Sequence, residues 1–293
     1  FALPLPLSIP LLSMISFLLI LPSLVAAQSA SKSCFVCASE GLRSRWYLTG
    51  LPSSSISDSQ FTSSCESTPT SSIDTESCAG PCFTYIFDDP DSPSLTTPTT
   101  FFVRGCHDQM VGIVSDRLTS GGAQNGLYCE YDSSYTRPDS RGVIVTTRAL
   151  IEYCGSDDGC NKRTKFPTAS SDACNGQTYN STVNNEPLNC YDCSDDNHNC
   201  NKNRCYKKYC SKSKVKMTAG GGYSIRKTCS NVNILGVDNA CSKNDIITVP
   251  DGNVAVPMES TQCFCKDKQY CNSAPERFLA SLLPLLLLPF LRS

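Results

Sequence analysis

Histidine is almost missing from this chain: 293 residues contain two, His107 and His198. Most general acid–base chemistry near neutral pH is thereby left without its usual side chain. His107 directly follows Cys106, so a Cys/His nucleophile there needs a free thiol, which an even cysteine count does not supply. Both histidines read as exposed loop residues. A surplus of one charge is also lacking. Lys and Arg number 25 against 27 Asp and Glu, so no chain-wide basic field points to nucleic acid. The Gly-rich stretches "SGGAQNG" and "AGGGY" have no following Lys-Ser/Thr, which argues against a phosphate cradle. The acidic pairs Asp88-Asp89 and Asp157-Asp158 stand in turn-like contexts, where Asp is favoured for its backbone hydrogen bonds. A bilayer-length apolar run is absent near the C-terminal end. Phe278 to Leu291 is 14 residues interrupted by Pro284 and Pro289, and a spanning helix needs roughly 20. The expectation is no enzyme, no cofactor and no nucleic-acid partner.

Cysteine is what the chain has in abundance, 20 residues in all. At this density the thiols belong in an oxidising compartment or around metal. Structural zinc ribbons pair two C-x2-C units, whereas each half of this chain has one, so no metal site is expected. "LLSMISFLLILPSLVAAQSA" favours the oxidising compartment: an apolar run of signal-peptide length reaches Val25-Ala26-Ala27, a small-x-small cleavage pattern. Residues 1–27 are therefore expected to be a signal peptide cut after Ala27. Phe1 stands where a Met and a basic segment are usual, so further residues are expected before it. At the other end, Asn272-Ser273-Ala274 supplies a small triplet, Pro275-Glu276-Arg277 a short spacer, and the run from Phe278 an apolar tail. These are the parts of a glycosylphosphatidylinositol (GPI) attachment signal. Residues 273–293 are expected to be that signal, with Asn272 or Ser273 as attachment site.

The cysteines also spell an internal repeat. "CFVC" (Cys34, Cys37) and "CYDC" (Cys190, Cys193) open two sets, and "CGSDDGCN" (Cys154, Cys160, Asn161) and "CKDKQYCN" (Cys265, Cys271, Asn272) close them. Shared start and stop signals indicate two copies of one module, residues 28–161 and 190–272. Residues 162–189, rich in Ser, Thr, Asn and Pro, read as a linker, and they carry the sequon Asn180-Ser181-Thr182, an expected glycosylation site. In the second copy "SKVKMTAGGGYSIRK" and "DIITVPDGNVAVPM" read as β-hairpins around Gly-rich and "PDGN" turns. In the first, "FTYIFDDPDSPSLTTPTTFFVRG" offers aromatic strands around a Pro-rich loop. Hairpins on so short and polar a chain bury little apolar surface, so disulfides are expected to stand in for a core.

This pattern resembles the three-finger domain family of the lymphocyte-antigen-6/urokinase-receptor (LU) type. The resemblance rests on the opening C-x2-C, ten cysteines in order and the closing C-x5-C-N, and it covers most of the chain. It implies an all-β fold of two small disulfide-rich domains in tandem, flanked by cleaved hydrophobic segments. For the second domain it implies the pairs Cys190–Cys210, Cys193–Cys200, Cys205–Cys229, Cys241–Cys263 and Cys265–Cys271. Phe264 separates Cys263 from Cys265, where family members usually have adjacent cysteines. For the first domain it implies Cys34–Cys82, Cys37–Cys65, Cys78–Cys106 and Cys154–Cys160. Cys129 and Cys174 remain, and with an even total their pairing is the economical expectation, although spacing alone does not select it. Asn161 and Asn272 match the family's Asn after the last cysteine, which pins the C-terminal end across the base. The implied role is binding without chemistry, to a receptor, channel or ligand at the outer cell surface. Members modulate acetylcholine-gated channels, block complement, bind proteases or serve in adhesion. A soluble, toxin-like ligand is the alternative.

Charge is unevenly shared between the copies. Lys32 to Asn161 carries 8 basic and 16 acidic residues, and Cys190 to Asn272 carries 12 and 8. Lys202 to Lys227 contains nine Lys or Arg and no acid. On a strand, Lys212, Lys214 and Lys216 share one face. With Lys207, Lys208, Arg226 and Lys227 they make a candidate docking face for an acidic partner, a sulfated glycan or anionic headgroups. The blander reading is a solvated edge that deters strand-to-strand aggregation. Within the chain, the acidic Asp88, Asp89 and Asp91 of the first copy are expected to be able to face this basic finger.

Overall fold

The computed structural model describes residues 32–52, 56–94, 96–115, 117–118, 126–139, 144–168, 174, 187–195, 200–217, 223–248 and 256–273. The expected signal segment, His198, Asn180 and the residues after Ser273 lie outside the described residues. The chain is all-β and disulfide-rich. Its strands are β1 (Lys32–Phe35), β2 (Cys37–Ala38), β3 (Thr75–Cys78), β4 (Cys82–Asp88), β5 (Thr100–Cys106), β6 (Leu127–Pro138) and β7 (Ile144–Cys154), then β8 (Leu188–Tyr191), β9 (Cys193–Asp195), β10 (Arg204–Lys207), β11 (Tyr209–Met217), β12 (Tyr223–Ser230), β13 (Ala240–Thr248) and β14 (Val256–Cys265). One short helix, α1 (His107–Val111), follows β5, and 3-10 turns fill much of the segment between β2 and β3.

The internal repeat is written in topology as well as in cysteine. One five-stranded sheet runs β2-β5-β4-β7-β6 and the other β9-β12-β11-β14-β13. Position for position these are the same order, and each has a two-stranded partner sheet, β1–β3 and β8–β10. Every pairing between these strands is antiparallel. At the base of each sheet, cysteines on three adjacent strands stand in register. Cys82 lies opposite Cys106 and Cys154, and Cys210 opposite Cys229 and Cys265. Each then bonds outward to its own partner: Cys34, Cys78 and Cys160 in the first half, Cys190, Cys205 and Cys271 in the second. The remaining four bonds are Cys37–Cys65, Cys129–Cys174, Cys193–Cys200 and Cys241–Cys263, and no cysteine is free.

The expectation that disulfides replace a core is corrected by the packing. One hydrophobic cluster contains Phe83, Tyr85, Phe87, Val103, Ile151 and Tyr153 of the first half together with Tyr209, Val232, Ile234, Leu235, Ala240 and Phe264 of the second. The segment between β12 and β13, "NVNILGVD", carries Val232, Ile234 and Leu235, each fully buried. Burial of such side chains contributes about 1.5–3 kcal/mol apiece. Neither half could shelter this surface alone, and each covers the other's. The described residues accordingly belong to one compact unit. The linker is also partly fixed. Arg163 pairs with Glu152 at 3.1 Å, Phe166 lies 5.9 Å from the Tyr131 ring with Arg148 stacked at 4.4 Å, and Cys174 is bonded to Cys129.

Candidate functional site

The lysine stripe is built as strand periodicity demands. On β11, Lys212, Lys214 and Lys216 alternate with Ser211, Ser213 and Val215. Directly across on β12 are Lys227 beside Lys212 and Ile225 beside Lys214; across on β14 are Cys263, Thr261 and Glu259. Lys216 is exposed and Lys214 half-buried, while Glu259, opposite Lys216, also pairs with Lys243 at 3.3 Å. Lys212 is only 9% exposed and Lys227 only 2%. The Lys227 ammonium donates to Asn201 at 2.9 Å and sits 5.7 Å from the Tyr191 ring centre. Burial, with the neighbouring Lys212 charge, pulls its proton affinity below the ordinary lysine value.

Three members of the expected face are engaged elsewhere. Arg226 lies on the other side of β12 from Lys227 and pairs with Asp192 at 2.6 Å. Lys207 Nζ lies 2.8 Å from both carboxylate oxygens of Asp132 and donates to Ser134 as well. Lys208 Nζ donates at 2.8 Å to Glu130 and to the Tyr128 hydroxyl. The basic finger therefore does meet acids of the first half, but at Glu130 and Asp132 on β6. The expected acids are held at home: Asp88 by Arg148 at 2.8 Å, and Asp89 and Asp91 by Arg45 at 2.6 Å each.

These contacts form a polar joint around the shared core. Glu130 is fully buried and accepts from Lys208, the hydroxyls of Tyr128 and Tyr209, and the Asn233 backbone N–H. Burial alone would raise its pKa; the Lys208 and Arg117 charges and the Asn233 N–H outweigh this and hold it at about 2. Burial draws the Lys208 ammonium below its ordinary value, with Glu130 opposing. The carboxylate's direction governs the pair, because it gathers donors from four residues: Lys208, Tyr128, Tyr209 and Asn233. Burial and the Glu130 charge push the Tyr209 phenol well up, which keeps its O–H a donor. Asp132 accepts the Asn231 N–H at 2.9 Å. Arg117 pairs with Asp238 at 2.6 Å, and the Ser115 hydroxyl donates to Gly236 O at 3.1 Å. Far from being an exposed loop residue, His107 is fully buried here, with Nε2 2.9 Å from Leu235 O and Nδ1 3.2 Å from Asp108. Cys106 beside it is bonded to Cys78.

Asn161 and Asn272 occupy equivalent places and make equivalent bonds. Asn161 Nδ2 donates to Phe35 O and Phe83 O, and its Oδ1 accepts the Phe35 N–H. Asn272 Nδ2 donates to Tyr191 O and Ser211 O, and its Oδ1 accepts the Tyr191 N–H. Ser273, the next residue, is exposed. Sequence reading missed Arg104. Fully buried on β5, it donates to the carbonyls of Cys65, Ser67, Asn161 and Arg163, tying the first long loop to the end of the module. Its partners are neutral oxygens, so burial lowers its pKa to about 10, with Glu152 opposing. An Arg inside an otherwise apolar strand, "TFFVRGC", is the one sequence signal that could have flagged it.

Two groups of acidic or sulfur side chains lie close together among the described residues: Cys210, Cys265 and Cys271, and Cys129, Glu152 and Cys174. Their sulfurs are in disulfides and offer no thiolate to a metal. Among the described residues no helix is long and apolar enough to cross a membrane. No family model and no curated protein matches this chain.

Proposed function

We propose that this protein is a cell-surface binding protein of the three-finger type, carried to the outer face of the plasma membrane and held there by a GPI anchor. The observation that carries this reading is the complete oxidation of twenty cysteines into ten bonds. That state is stable outside the reducing cytosol and is a way for small β-domains to hold shape there. The repeated strand order, the closing asparagines and the resemblance in cysteine spacing all support the same reading. The partner is an extracellular receptor, channel or ligand, engaged by the sheets and hairpins of one compact unit. Attachment at Ser273 fits better than at Asn272, because Asn272 is buried and its amide is committed to the base. Sulfated glycan is a narrower candidate ligand, with Lys214 and Lys216 as its most accessible contacts on β11. Salt-sensitive retention on heparin that is lost in Lys214→Ser/Lys216→Ser would support it.

Treatment of expressing cells with a phosphatidylinositol-specific phospholipase is expected to release the protein into the medium. Persistent attachment would show that the tail is retained, and secretion without any attached pool would favour the soluble-ligand reading. Proximity labelling on the native cell surface then addresses the partner.

A further inference from the structure

The small sheet β8–β10 presents a set of side chains that take no part in the Glu130 joint. In its register Arg204 lies opposite Tyr191 and Tyr206 opposite Asn189, so alternation places Arg204, Tyr206 and Tyr191 on one face. The Tyr191 ring packs 4.8 Å from that of Tyr270, and the Arg204 guanidinium lies 5.4 Å from the Tyr270 ring centre. Arg204 is exposed, and Tyr206 is 60% exposed, an unusual position for so large a ring. The face adjoins the end of the domain. Tyr270 N–H donates to Asn189 O at 2.7 Å, and Ser273 N–H donates to Tyr270 O at 3.0 Å. Beyond Ser273 only Ala274, Pro275, Glu276 and Arg277 precede the apolar run that starts at Phe278. Five extended steps reach about 17 Å at most.

We propose that Tyr191, Arg204, Tyr206 and Tyr270 form a membrane-contact face that seats the second half on the interfacial zone of a lipid bilayer. This rests on the membrane-anchored reading above. Tyr has an apolar ring and a polar tip, which suits it to the boundary between acyl chains and water. A guanidinium matches lipid phosphate in a forked, two-bond geometry that a lone ammonium does not offer. An apolar segment or a glycolipid attached at this end of the domain brings a bilayer, rather than a soluble partner, to these residues first.

Trp46 is the sole tryptophan and lies in the first half, its Nε1 donating to Pro52 O at 2.7 Å. Tyr206→Trp therefore adds a reporter at the proposed face while Trp46 serves as internal reference. The full chain, purified from cell membranes, is placed on phosphatidylcholine vesicles with brominated acyl chains. Flotation scores attachment, and fluorescence scores contact. The added emission is expected to shift to the blue and be quenched by bromolipid, with Trp46 unaffected, and Arg204→Ser/Tyr270→Ser is expected to weaken that quenching. If the chain floats but the added emission is unquenched, the contact face is wrong and anchoring stands. Quenching unchanged by the Arg204/Tyr270 substitutions would also overturn it, because the tether alone would then explain proximity. If the chain fails to float, both readings fall.

Discussion

Glu130 is the residue on which the joint between the halves depends most. It gathers an ammonium, two phenols and a backbone N–H in a space without solvent. Removing one partner of such a buried pair costs about 3–5 kcal/mol, whereas replacing both by apolar groups can be nearly neutral. Glu130→Ala is expected to lower the denaturant midpoint of the disulfide-intact protein by a loss of that order. Adding Lys208→Met should recover much of it, and strictly additive losses would show the pair to be uncoupled. The same carboxylate predicts acid sensitivity. Its pKa is depressed on folding, from 4.5 to about 2, so its contribution is complete above the unfolded value and lost as pH falls toward the folded one. Denaturant midpoints measured across that interval should decline with falling pH, and Glu130→Gln should flatten the decline. An unchanged slope in the variant would assign acid sensitivity to other carboxylates.

At the scale of elements, the segment between β12 and β13 is the piece of the second half most deeply set into the first. Its tip is Gly236, with φ of +63°. A Cβ there would lie 2.5 Å from the Tyr153 hydroxyl and 2.6 Å from His107 Nε2. Both the left-handed backbone and the close approach demand glycine. Gly236→Ala is expected to cost about 1–3 kcal/mol in strain. That loss should appear locally, as faster amide exchange over residues 231–238 while the amides of β11 and β14 stay protected. A uniform rise across both sheets would mean that the segment and the sheets open together. The hairpins themselves depend less on this contact, because their bases are fixed by cysteines in register and by the closing Asn161 and Asn272.

For the whole molecule, the disulfides and the core divide the labour unequally. Every disulfide lies within residues 34–174 or within residues 190–271, so none joins the two halves. What holds them is the shared apolar cluster and the polar ring around it. A protease site placed between Gly176 and Thr182 tests this directly. After cleavage without reductant the halves are expected to migrate together on size exclusion and to part only in denaturant. Separation in native buffer would show two independent domains. A single body also changes what a partner meets, since the faces turned toward the joint are closed to it.

The sequence by itself determined the all-β, disulfide-rich character and the strands of both second-half hairpins. These follow from an even cysteine count in repeated spacing and from period-two patterns around turn residues, all of which are local. It did not determine which charges face solvent. Lys207 and Lys208 look like Lys214 and Lys216 in the chain, yet half-buried Lys207 is paired with Asp132 and Lys208 is buried against Glu130, 78 residues away. His107 read as a loop residue, and its burial depends on Leu235, 128 residues away. Only the tertiary structure settled these points, because burying a charge or an imidazole depends on partners that no local pattern specifies.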